Sequence, residues 1–230
     1  MITARCHPAL APLLPRPVAA SDARPDWLAS MPAKVASPTL GGAEVRTLKH
    51  CPPFIDALSL GILMPLAADL VVENGEIAWD WSPPPTPDAP LTRAPVGLHV
   101  PEQAAGTPLP VQGRMIVKFT NYWTLEAPEG WDLLFTHPLN RADLPFLTLS
   151  GLVAADRFAL GYVHFPALWL EEGFTGRLPA GTPVAQVIPV PRNRPGLRVA
   201  TLTDAEISGS RAIAEALQDA PGHYRKTFRP

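Results

Sequence analysis

His137-Pro138-Leu139-Asn140-Arg141-Ala142-Asp143 gathers an imidazole, an amide, a guanidinium and a carboxylate into one polar island within apolar sequence. On a loop between strands, His137 could act as a base and Arg141 could grip a carboxylate or phosphate bidentately, with Asn140 as a further ligand contact. The same residues also read as an Asn/Asp turn closed by an Arg141–Asp143 surface pair. Cys51 is a second candidate. It follows Lys49-His50 at the expected start of a helix, where cationic neighbours and unpaired backbone N–H groups both favour thiolate. His50 or a distant histidine would then serve as base and Asp56 as orienter. The alternative is a cysteine that packs as a small hydrophobe. A third candidate is His99 with Gln103, next to Glu102 at a strand end, where an imidazole and an amide could orient a polar ligand or satisfy backbone groups.

The six histidines include no H-x-H or H-x-x-x-H pair. A metal centre would have to draw His99, His137 and His164 from separate strands, with Glu102 as a possible fourth ligand. Barrel interiors of cupin type do this, and such a trio would hold one divalent transition metal. Taken singly, each histidine also reads as a hydrogen-bonded structural residue.

Elements able to position these groups are short and β-like. Leu70–Glu73 and Glu76–Trp81 flank Asn74-Gly75, the dipeptide that a two-residue type I′ hairpin requires. Further strands are expected at Val96–Val100, Met115–Phe119, Trp123–Glu126, Leu133–Thr136, Phe146–Leu149, Tyr162–Phe165 and Val184–Val190, at a spacing that suggests a sandwich or barrel. Cys51–Gly61 reads as a short helix with proline in its first turn and glycine at its end. Thr203-Asp204-Ala205-Glu206 is a capping box that opens a helix through about Gln218. The expected organisation is a proline-rich arm over residues 1–40, with Trp27, Leu28 and Met31 as anchors, a β domain over 41–200, and a helix with a basic tail over 201–230.

The bulk composition excludes several classes. A net charge of −2 with no Lys/Arg stripe leaves no electrostatic footprint for nucleic acid. No run of apolar residues is long enough to span a membrane as a helix. The two cysteines do not form a disulfide framework and no secretory signal is recognisable, so a cytoplasmic protein is expected. The 30 prolines among 230 residues, roughly two to three times the usual share, imply long ordered loops and strand ends.

Two resemblances accompany these patterns. Lys49-His50-Cys51-Pro52-Pro53-Phe54-Ile55-Asp56, the Pro65-Leu66 strand, and the pairing of Gly151-Leu152-Val153 with the Gly181–Pro189 segment resemble an uncharacterised family of bacterial and tailed-phage proteins, which implies no activity. Ser150-Gly151-Leu152-Val153-Ala154-Ala155-Asp156, followed by Phe174-Thr175-Gly176 and Gly181-Thr182-Pro183-Val184-Ala185-Gln186, resembles the trimeric dUTPase and dCTP deaminase superfamily. That second likeness implies a β-clip fold. The position matching its water-activating aspartate is Ala154, whose methyl group cannot deprotonate water, and only Asp156 remains of the acids in that turn, as an expected ligand contact. The fold class expected is therefore mainly β, a β-clip-like or cupin-like sandwich or barrel with a short N-terminal helix and a C-terminal helix.

Three functions follow: a small-molecule-binding or homo-oligomeric structural module without nucleotide hydrolysis; an enzyme acting on a small polar or anionic substrate through His99, His137, Asn140, Arg141 and His164; and a nucleotide-handling relative of dUTPases.

Overall fold

Asn74 and Gly75 take positive φ angles of 51° and 80°, as a tight hairpin turn demands, and Glu73 pairs with Glu76 across it. This hairpin belongs to a computed structural model that describes residues 1–89, 91–109, 116–171, 173–220 and 222–229. The chain divides into two units, residues 1–192 and 193–230.

The first unit is mainly β, built from several antiparallel sheets. A five-stranded sheet runs Gly151–Val153, Trp131–Thr136, Pro183–Pro191, Ile62–Pro65 and Val18–Ala19 in spatial order. A four-stranded sheet runs Phe146–Thr148, Phe165–Trp169, Ile116–Phe119 and Val96–His99. Gly176–Leu178 joins the Asn74-Gly75 hairpin to make a three-stranded sheet. The two larger sheets share one core. Phe135 from the first stacks on Phe165 from the second at 5.8 Å, and Phe119 meets Phe146 at 4.7 Å. Phe119, Phe146 and Phe165 are all buried, and each contributes roughly 1.5–3 kcal/mol by leaving water.

The first forty residues, rich in proline, are tied into this unit. Thr3–Cys6 pairs antiparallel with Trp123–Glu126, and Val18–Ala19 pairs with Ile62–Leu63. Leu10 and Leu14, one helical turn apart, are buried with Tyr122 and Ala67. Leu28 is buried in the Asp26–Ser30 helix, while Trp27 meets Phe54 at 6.3 Å.

Three expected strands have different limits. Tyr162–Phe165 is not a strand: Tyr162 forms only an isolated bridge to Thr124, and the strand begins at Phe165. The reason lies with Asn121, whose backbone N–H is taken by His164 and whose side chain is taken by the Val163 carbonyl. Side-chain bonds replace the ladder there. The second hairpin strand stops at Ala78, and Trp81 instead packs edge-on against Tyr122 at 5.2 Å. The Ile116–Phe119 strand is in place, and Met115 lies outside the described residues.

The expected helix at Cys51 spans Pro52–Leu58. Gly61 beyond it has φ +71°, and a Cβ there would collide with the Val187 carbonyl, so glycine is required by both conformation and space. In the second unit, Thr203 caps the Asp204–Asp219 helix: its hydroxyl accepts from Glu206 N–H, and Glu206 accepts from Thr203 N–H at 2.7 Å. A short His223–Thr227 helix follows. No helix among the described residues is long and apolar enough to cross a membrane.

Candidate functional site

An open groove of about 540 Å³ lies between the segment that carries Arg16 through Trp27 and the edge of the five-stranded sheet at Leu63–Pro65. This is the size of a small-molecule site. Val18, Trp27, Pro65 and Pro183 give it apolar walls, and Arg16, Arg24 and Arg141 also line it. The carboxylates of Asp26 and Asp143 also line it.

One wall is fixed by a relay of bonds. Arg141 holds Asp143 bidentately, Nε to Oδ1 at 2.8 Å and Nη2 to Oδ2 at 2.9 Å. Burial pushes the Asp143 carboxyl up, but the hydrogen bonds and the positive charge of Arg141 outweigh it and hold the group below its ordinary range. The turn reading therefore describes Arg141, whose fork is taken within the chain. Asn140 sits at φ 58° and donates to the Phe54 carbonyl at 3.4 Å, fastening the loop to the Pro52–Leu58 helix. Arg16 and Arg24 differ from Arg141. Both are exposed, and neither makes a hydrogen bond or ion pair with a described residue.

His137 is held on both sides. Its Nε2–H donates to the Arg141 carbonyl at 2.9 Å, and Nδ1 accepts from Thr148 N–H at 3.3 Å, an arrangement that fits the neutral tautomer. His164 Nδ1 accepts from Asn121 N–H at 3.1 Å. His99 Nδ1–H donates to Gln103 Oε1 at 2.8 Å, and that oxygen also accepts from Val100 N–H, closing the Pro101–Ala104 turn. Among the described residues no three His, Cys, Asp or Glu side chains form a group able to hold a metal ion. The trio His99, His137 and His164 is thus not drawn together. One ends an edge strand, one is bonded to backbone at both nitrogens, and one takes the N–H of a buried turn.

Cys51 is half-buried as the residue preceding the Pro52–Leu58 helix, and its side chain makes no capping bond. The nearby cation is directed elsewhere: Lys49 Nζ donates to the carbonyls of Ala29 and Met31 at 2.9 and 3.0 Å. Ala154 begins the turn after Gly151–Val153. Asp156 accepts two bonds from Arg192 and one from Gly130 N–H, and the Arg192 bonds hold its carboxyl far below the usual range. Arg192 also binds the buried Asp132 at 2.9 Å. Asp156, expected to contact ligand, is instead one arm of an internal ion-pair triad.

Two features escaped the sequence reading. Gln186, only 1% exposed, accepts from Leu139 N–H at 2.8 Å and donates to the Ala57 and Leu60 carbonyls. An amide inside Val184-Ala185-Gln186-Val187 was the available signal, since a polar group in an apolar strand must find partners. Arg16 and Arg24 carried no signal, because their place on one groove depends on the path of the first strands.

Burial lowers the imidazole values of both His137 and His164, the second with help from Lys118, below the ordinary 6.5. Between that unfolded value and the lower folded ones, the unfolded chain binds more protons. Stability therefore rises with pH through that window and is lost as pH falls below about 6.5. Thermal midpoints taken from about pH 7.5 down to about pH 5 should fall, and a His137→Asn/His164→Asn double variant should show a flatter slope. An unchanged slope would assign the titration to other groups.

No protein-family model matches this chain, and no functionally curated protein matches it. Among solved structures, a dUTPase from phage phi11 of S. aureus is similar at 12% identity, covering 63% of this chain and 84% of that one with a TM-score of 0.33. A dUTPase of Staphylococcus bacteriophage 80alpha, solved with dUpNHpp, is similar at 13% identity, covering 63% and 77% with a TM-score of 0.32. Overlaps this partial carry no functional weight.

Proposed function

We propose that this chain is a ligand-binding β module that takes a small polar molecule in the groove beside Trp27 and does not hydrolyse nucleotides. The observation that carries the reading is a contrast in how side chains are used. Two groups that could activate water are engaged internally: His137 at both ring nitrogens, and Asp156 by Arg192 and Gly130. Arg16 and Arg24, by contrast, line a largely apolar groove and make no hydrogen bond or ion pair with a described residue. Free donors over apolar walls are what a binding pocket needs, whereas a general base needs a free lone pair close to water.

The test has two parts. Incubation with dUTP and the other deoxynucleoside triphosphates should release pyrophosphate no faster than buffer alone; turnover that disappears on His137→Asn would overturn the reading. A panel of small aromatic anions, cations and neutral compounds, followed by ligand-observed NMR, should include binders whose signal is lost on Trp27→Ala. Retention of every signal in that variant would place binding elsewhere.

A further inference from the structure

We infer that the ligand of this groove is a small aromatic phosphate monoester, its phosphate held between Arg16 and Arg24 and its ring against Trp27. The inference rests on the binding-module reading and adds the chemical class. Three arginines line the groove, but Arg141 is held bidentately by Asp143. Arg16 and Arg24 are left, each a planar fork whose N–H donors bond to no described residue.

The number of forks selects the anion. A planar carboxylate presents one edge that takes a single fork bidentately. A phosphate monoester has three terminal oxygens in a tetrahedral array and about two negative charges near neutrality, so it can accept two forks from different directions at once. The rest of the groove selects what the phosphate is attached to. Trp27, in contact with Phe54, offers apolar surface together with Val18, Pro65 and Pro183. Such surface adds affinity only for a ligand with an apolar body. Inorganic phosphate would use the forks and leave the apolar walls wet. Asp26, on the same lining, repels a second anionic group and so favours a ligand with one phosphate.

Calorimetry on the full chain tests this with phenyl phosphate, benzoate, benzyl alcohol, benzylamine and inorganic phosphate as probes. Phenyl phosphate should bind tightest, with benzoate and inorganic phosphate each at least tenfold weaker. An Arg16→Ala/Arg24→Ala variant should lose tenfold or more of the phenyl phosphate affinity. Both residues are exposed and bond to no described residue, so an unchanged circular dichroism spectrum and thermal midpoint are expected and show that the loss is local. Equal affinity of the double variant for phenyl phosphate would overturn the inference, as would benzyl alcohol or benzylamine binding as tightly as phenyl phosphate. In that last case, sensitivity to Trp27→Ala leaves the binding-module reading standing while the phosphate falls. If no probe of any charge binds, both fall together.

Discussion

Gln186→Leu is expected to destabilise the protein by roughly 2–6 kcal/mol, because the Leu139 N–H and the Leu60 carbonyl lose their partner together and each stranded group costs about 1–3 kcal/mol, while the Ala57 carbonyl keeps the Leu60 N–H. The side chain is 1% exposed in the central strand of the five-stranded sheet, and its amide accepts from Leu139 N–H while donating to the Ala57 and Leu60 carbonyls at 3.0 and 2.6 Å. Leucine fills nearly the same volume, so the loss reports hydrogen bonding and not a cavity. Set against a typical total of about 5–15 kcal/mol, this would unfold much of the population at moderate urea. Gln186→Glu sharpens the test. The carboxylate keeps an acceptor for Leu139 but aims negative charge at two carbonyls, so it should be no more stable than the leucine variant at neutral pH. Urea midpoints decide the matter: a Gln186→Leu shift worth less than about 1 kcal/mol would mean those backbone groups find other partners. The bonds also couple stability to binding, since they join the helix that carries Phe54 and the loop that carries Arg141 to one strand.

Replacement of Arg192 should have the second largest effect. Its guanidinium joins Asp132 and Asp156, which come from two neighbouring strand systems and meet where the Pro183–Pro191 strand ends. Arg192→Met leaves two carboxylates facing each other without a cation. Removing one member of such a network costs more than the network contributes, because the remaining charges stay poorly solvated. The thermal midpoint at neutral pH should fall by something on the order of 10 °C. The pH dependence has a definite sign. Bonds from Arg192 hold the Asp156 carboxyl below its ordinary value of 3.8, so its contribution is full above that unfolded value and is lost as pH falls through the lower folded one. Arg192→Met removes that protection and should unfold at higher pH on acid titration. Adding Asp132→Asn and Asp156→Asn to the variant should recover part of the loss. An Arg192→Met protein with unaltered thermal and acid transitions would show that the triad contributes nothing.

Much of the scaffold is legible in local chemistry, and much of the site is not. Asn74-Gly75 announces its hairpin because few residues tolerate positive φ at both turn positions, and Thr203 with Glu206 announces a helix start because the two bonds are local. Trp123–Glu126 falls where its pattern places it. The Thr3–Cys6 and Val18–Ala19 strands do not read as strands, since each is short, set among prolines, and stabilised by a partner far along the chain. The histidines illustrate the limit from the other side. Their residue type suggests a ligand set, but whether three imidazoles converge depends on sheet register, and here register sends His137 and His164 to backbone groups and His99 to the Gln103 amide. The groove is the least legible feature, because Arg16 and Arg24 gain their setting only when Val18–Ala19 joins the edge of the five-stranded sheet.

The pairing of Thr3 with Glu126 has a kinetic consequence. More than half of the polypeptide must be held as one closed loop before this ladder can zip, and the entropy of that closure is met before any of its hydrogen bonds are gained. Refolding from denaturant should therefore be slow, with the amino-terminal ribbon among the last pieces to dock. Until it does, Trp123–Glu126 offers an open edge to which another chain could add.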